Sequence, residues 1–145
     1  MPCQGKLLET TYIPGRLFSV APHTTRVIPE LFARNERLVC LFETPAGQMA
    51  LIMVGAIFVS CMETVWSGIV NPGMGMQLQR KRYDMNDNSV TDLARGDEMG
   101  RFNMGSTVIL LFGPNRIKWD KSLQAGSPIQ LGQQLAQLSA SSPGR

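Results

Sequence analysis

The chain has 145 residues, 43% of them apolar and 17% charged, and its formal net charge is +3. A chain of this length folds as one domain and hides about 68–70% of the surface its unfolded form exposes, so a core forms without covalent staples. The basic excess is too small and dispersed to mark a nucleic-acid partner, and its one tight cluster, Arg80-Lys81-Arg82, falls short of the roughly 4–8 cations of a polybasic lipid-binding segment.

In chain order, residues 7–13 are predicted as a strand ended by Pro14-Gly15, and residues 17–20 as another ended by Pro22. Residues 29–37 are the best helix candidate, barely two turns long. Residues 38–44 read as a clear strand, which Pro45-Ala46-Gly47 turns into a hairpin with the apolar run at 49–59. Its β-branched residues favour a buried strand, bent at Gly55. That run has 11 residues, or 14 with Ser60, Cys61 and Met62, against the about 17–25 of a membrane-spanning helix. Residues 62–66 follow as strand, 71–76 as a Gly- and Pro-rich loop, and 81–101 as a polar loop or weak hairpin. Thr107–Phe112 is predicted as a strand closed by Gly113-Pro114-Asn115, with residues 117–119 returning beside it. Residues 130–138 read as strand or short helix, and 139–145 as a frayed tail. The predicted class is mainly β, a compact antiparallel sandwich or barrel-like body with few short helices, in one domain over residues 1–145.

Most conventional chemistries lack their parts. A serine–histidine–aspartate site needs an imidazole to take the hydroxyl proton, and the single histidine, His23, lies in a Pro-flanked loop. Cys3, Cys40 and Cys61 have no metal-ligand spacing, and the two in apolar runs, Cys40 and Cys61, read as buried, reduced thiols. No metal site is expected. Gly73-Met74-Gly75 has neither the further glycines nor the lysine of a phosphate loop. Asp97-Glu98 are adjacent, and Asp84, Asp87 and Asp92 sit in polar sequence where solvation explains them. Glu63 ends an apolar strand beside Trp66, where it serves to cap the strand in water. Gly105-Ser106 differs in its setting: Gly96, Gly100 and Gly105 punctuate the approach, and a stiff strand fixes the serine from the other side. A Gly-Ser bond held in a strained turn can break itself and leave a reactive carbonyl where the serine was.

Several longer segments carry a resemblance: residues 17–20 (LFSV), 31–37 (LFARNER), 54–56 (VGA), 63–68 (ETVWSG), 98–102 (EMGRF) and Met104-Gly105-Ser106-Thr107. In this order they resemble the C-terminal catalytic part of bacterial phosphatidylserine decarboxylases, whose self-cleavage motif is LGST. Methionine in place of the motif's leucine keeps the apolar volume nearly constant. The resemblance covers residues 1 to about 138.

That resemblance implies a self-made cofactor. The Ser106 hydroxyl would attack the carbonyl carbon of Gly105, a residue with no Cβ to obstruct the approach, and turn the amide into an ester as the hydroxyl proton passes to the freed amine. Backbone distortion, worth about 1–3 kcal/mol per residue, and donors aimed at the oxyanion would assist. Elimination then releases the Gly105 carboxylate and leaves dehydroalanine at 106, and water converts this to a pyruvoyl group with loss of ammonia. The pyruvoyl ketone is an electron sink; through a Schiff base to the serine amine of phosphatidylserine it drives loss of carbon dioxide, giving phosphatidylethanolamine. The implied products of cleavage are a β chain, residues 1–105, and an α chain, residues 106–145, held together as a heterodimer by pairing of Thr107–Phe112 within the larger piece. The implied setting is peripheral, on the cytoplasmic face of the membrane.

The family's activating Asp and His have no counterpart among these residues. The family's histidine directly precedes a Met-Pro pair, matched here by Met1-Pro2, so the chain is expected to be a shortened form that begins at an internal methionine. Its membrane-associating helices are likewise expected upstream. A catalytically silent remnant is therefore the alternative reading. A pyruvoyl enzyme acting on a soluble amino acid is a third, which the long motif agreement disfavours.

Overall fold

Burial with a period of two organises the largest sheet. In the segment Arg37–Thr44, Leu38, Cys40, Phe42 and Thr44 are buried while the residues between them are more exposed, as a strand with one covered face requires. The computed structural model describes residues 1–57, 62–70, 77–84, 92–103 and 106–139. Its elements in chain order are β1 (Gly5–Ile13), α1 (Pro22–Val27), α2 (Leu31–Arg34), β2 (Arg37–Thr44), β3 (Gly47–Val54), β4 (Met62–Thr64) and β5 (Gly68–Val70). They continue with β6 (Gln79–Arg82), β7 (Asp92–Leu93), β8 (Gly100–Phe102), β9 (Thr107–Phe112), β10 (Ile117–Trp119) and β11 (Ala136–Leu138).

The main sheet runs β6-β1-β2-β3-β9, with β7 also paired to β1. All of these pairings are antiparallel. Thr44 lies opposite Gly47, so the β2–β3 connection is only Pro45-Ala46. Proline presets the first turn position, and Gly47 takes the left-handed φ of 83° that closes the hairpin. The Thr44 hydroxyl donates to the Gly47 carbonyl at 2.6 Å and accepts from the Ala46 amide at 3.1 Å.

A smaller sheet, β5-β4-β8, contributes the second layer. Met62, Met99, Trp66, Val70 and Phe102 join the cluster formed by Leu7, Leu38, Cys40, Phe42, Met49, Leu51 and Met53. Trp66 meets Phe42 edge-on, with ring centroids 6.1 Å apart and planes at 76°, the arrangement that ring quadrupoles favour. Glycine at 100 is obligatory for this layer, since a Cβ there would lie 2.5 Å from the Glu63 carbonyl oxygen. The β-rich expectation is met, with two short helices; the layers form an open sandwich, not a closed barrel.

Several boundaries differ from the sequence reading. Residues 17–20 are not a strand, because the Phe18 backbone bonds the Asn35 side chain instead of a neighbouring strand. The predicted helix at 29–37 shrinks to the single turn of α2, and α1 precedes it with Pro22 in its first turn, a position where the missing N–H is harmless. The 49–59 run leaves the sheet after Val54, and 58–61 lie outside the described residues. Residues 81–101 contain parts of β6 and β8 and all of β7. β10 does not return beside β9; it pairs with β11, the only part of 130–138 that is regular. The 71–76 loop, Asp87 and residues 140–145 fall outside the described residues.

Candidate active site at the head of β9

The strand that follows Ser106 is the most firmly registered of the C-terminal part. From Val54 opposite Thr107 to Met49 opposite Phe112, β3 and β9 pair without interruption. Apolar, β-branched Val108 and Ile109 suit that pleated surface. Ser106 stands one residue before the first pair and is half-buried, and its hydroxyl donates to the carbonyl of Val54. Gly105 and Met104 lie outside the described residues.

The peptide group that receives Ser106 is itself held from behind. Its oxygen belongs to Val54, which is fully buried, and its N–H belongs to Gly55, which donates to the Glu36 carbonyl at 2.8 Å. The next carbonyl, that of Gly55, accepts from Asn35 Nδ2 at 2.9 Å. The same Nδ2 donates to the Phe18 carbonyl at 2.8 Å, and Asn35 Oδ1 accepts from the Phe18 amide at 2.9 Å. Asn35 is fully buried; both side-chain N–H groups and its oxygen are engaged, as burial demands. One carboxamide thus joins the segments around residues 18, 35 and 55.

Local sequence explains how Asn35 reaches this place. α2 is one turn long and ends where Asn35 turns extended, at φ −74° and ψ 150°. Arg37 Nη1 then ties down two carbonyls, those of Ala33 at 2.5 Å and Asn35 at 3.0 Å. The Arg16 amide donates to Arg34 and the Glu36 amide to Arg16, each at 2.8 Å, a short parallel bridge alongside Asn35. Gly15 permits this approach, because a Cβ would lie 2.5 Å from the Arg34 oxygen and 2.6 Å from the backbone of Asn35 and Glu36. Gly55 is also tightly placed, its would-be Cβ 3.3 Å from both the Glu36 oxygen and Leu17 Cδ2. Arg34 covers the Phe18 ring at 5.0 Å.

The other candidates from the sequence do not gather here. His23 is exposed on α1, in a helix rather than the expected loop. Glu63 does not cap a strand end in water: it lies mid-strand in β4 opposite Arg101, 3.8 Å from its Nε, and Arg101 also meets Glu98 at 2.9 Å. Asp97 Oδ2 accepts from the Ala94 amide at 2.8 Å. Cys3 and Cys40 are buried free thiols; burial pushes Cys40 up to about 12 and Cys3 in the same direction. Cys61 lies outside the described residues. Among the described residues no His, Cys, Asp and Glu cluster could hold a metal, and no helix is long and apolar enough to cross a membrane.

The sequence reading singles out Ser106 and uses Gly15 only as a turn residue; it gives no role to Asn35 or the Val54 carbonyl. A buried asparagine between Arg34 and Glu36 has no hydrophobic signature, and a backbone acceptor has no sequence signature at all. The only hint is that Asn35 sits inside the 31–37 motif.

Comparison with known proteins agrees with the motif resemblance. The family model described as phosphatidylserine decarboxylase matches residues 1–137. The chain is 51% identical over 140 residues to a phosphatidylserine decarboxylase proenzyme of Pseudomonas fluorescens, covering 97% of this chain and 49% of the relative. It is 53% identical over 136 residues to a proenzyme of the same name from Pseudomonas putida, covering 94% and 47%. A third, from Ectopseudomonas mendocina, is 51% identical over 135 residues, covering 93% and 47%. The chain therefore spans about half the length of these curated relatives. A match over nearly all of its residues, on a β-rich body with the Gly-Ser motif leading into β9, places the chain in the phosphatidylserine decarboxylase family.

Proposed function

We propose that Ser106 is the residue this chain converts, by cleavage of its own bond to Gly105, into a pyruvoyl group that decarboxylates phosphatidylserine to phosphatidylethanolamine. The observation that carries the reading is the hydrogen bond from the Ser106 hydroxyl to the Val54 carbonyl at the head of β9. It fixes the one atom that must act as nucleophile, and it does so beside a strand pairing that would outlast a break at 105/106. Residue 106 suits the group: it is half-buried and small, and β9 anchors it whatever its side chain becomes. When formed, the ketone supplies an electron sink for carboxylate loss from an amine-bearing substrate. The chain's own residues hold Oγ, seat it against a buried backbone and keep the small piece docked through β9. Exposed Leu111 on that strand and Trp119, which lines the same shallow concavity, fit a setting at a lipid surface, which this reading takes to be the cytoplasmic face of the membrane.

A second reading, a silent remnant, is favoured by one observation: the partner of Ser106 Oγ is a carbonyl, which orients a hydroxyl but does not take its proton. The two readings separate on turnover. Vesicles containing phosphatidylserine should yield phosphatidylethanolamine with the unsubstituted protein and none with Ser106→Ala. Borohydride added during turnover should leave the phospholipid's mass on the piece that begins at residue 106. No product from either protein would favour the remnant.

A further inference from the structure

The 31–37 motif contains a residue with no part in the chemistry above, and its surroundings give it one. We infer that Asn35 is a positioning residue for self-cleavage, setting the peptide group against which Ser106 is aimed; this rests on the reading of Ser106 just proposed. The Val54–Gly55 peptide group is the only described partner of the Ser106 hydroxyl. Its oxygen meets Ser106 and its N–H meets the Glu36 carbonyl, so the group can turn only if the chain at 55 turns with it. Asn35 blocks that turn by holding the Gly55 carbonyl at 2.9 Å while its other bonds lock the carboxamide to both polar groups of Phe18. With both N–H groups and the oxygen bonded and the residue fully buried, turning the carboxamide away would leave polar groups unpaired.

The consequence is geometric. Gly55 leaves the sheet at the point where β3 ends, so no ladder bond of β3 orients its carbonyl. Asn35 replaces the missing ladder partner. A hydroxyl that must approach the adjacent carbonyl carbon tolerates little error, because displacement of about 1 Å at a reacting centre costs on the order of 10²-fold in rate. The glycine at 55 fits the same account, since a side chain would press on the Glu36 oxygen and Leu17.

The test compares four proteins: unsubstituted, Asn35→Ala, Asn35→Asp and, as a destabilised control two strands from the site, Leu7→Ala. Asn35→Asp keeps an oxygen for the Phe18 amide but has no N–H for the Gly55 carbonyl. All four are held at one temperature at which each is shown to be folded, and the appearance of fragments split at 105/106 is timed by mass. Both Asn35 variants should slow by about 10²-fold, while Leu7→Ala cuts at the unsubstituted rate. In parallel, nuclear magnetic resonance of uncut protein should show the Gly55 and Ser106 signals displaced, with faster Gly55 amide exchange, and the β1–β2 ladder unchanged. Asn35 variants that cut as fast as the unsubstituted chain would overturn the inference. So would unchanged Gly55 and Ser106 signals, even where no protein cuts; failure of the unsubstituted chain to cut counts against Ser106 itself.

Discussion

The two halves of the C-terminal segment are built differently. β9 is woven into the main sheet along its whole length, opposite β3. β10 and β11 pair only with each other, and the chain between them bonds largely to itself, as in Asp120 to Leu135 and Leu123 to Asp120. Trp119 and Leu138 are about half exposed there, and Leu131 is fully so. The contrast assigns the work of holding residues 106–139 to the body almost wholly to one strand. Ser106, at that strand's head, would therefore keep its place if the proposed break occurred beside it.

Substitution can break the comparison most strongly at the core under β9. Phe42→Ala empties a fully buried site against Trp66 and should cost about 3–5 kcal/mol, whereas Trp119→Ala, 53% exposed, should cost only about 0.5 kcal/mol. Urea unfolding of both variants checks this, and equal costs would mean that the hairpin is integrated after all. Gly15→Ala comes next. Its Cβ would drive into the backbone at 34–36, a loss of about 1–3 kcal/mol that thermal melting should register, although Gly15 itself is exposed. Glu9→Gln, far from both regions, should have the smallest effect. A hydrogen bond from Arg80, reinforced by Arg82, holds the Glu9 carboxyl below the usual carboxylate range. Such a group stabilises the fold above its ordinary pKa, and that share is lost as pH falls through the depressed value. The Gln variant should therefore match the unsubstituted chain in acid and fall slightly short of it near neutrality, as melts across that range would show.

The sequence revealed β1, β2, β9 and the hairpin at Pro45-Ala46 because each joins apolar alternation to turn residues of known geometry. It concealed β6 and β7, whose residues are mostly polar and which owe their conformation to the β1 edge they pair with. Residues 17–20 misled for the opposite reason: apolar content suggested a strand, but Asn35 had taken the Phe18 backbone. At the site, the motif is what marks Ser106 as the candidate. The partners that aim it, a main-chain carbonyl and a buried amide, are consequences of folding and have no local pattern to read.

The mass of the purified, folded protein tests the central claim most directly. Self-cleavage predicts two pieces, residues 1–105 and residues 106–145, the smaller without a free amine at its first residue and both absent in Ser106→Ala. One intact chain, still carrying serine at 106 after prolonged incubation, would contradict it.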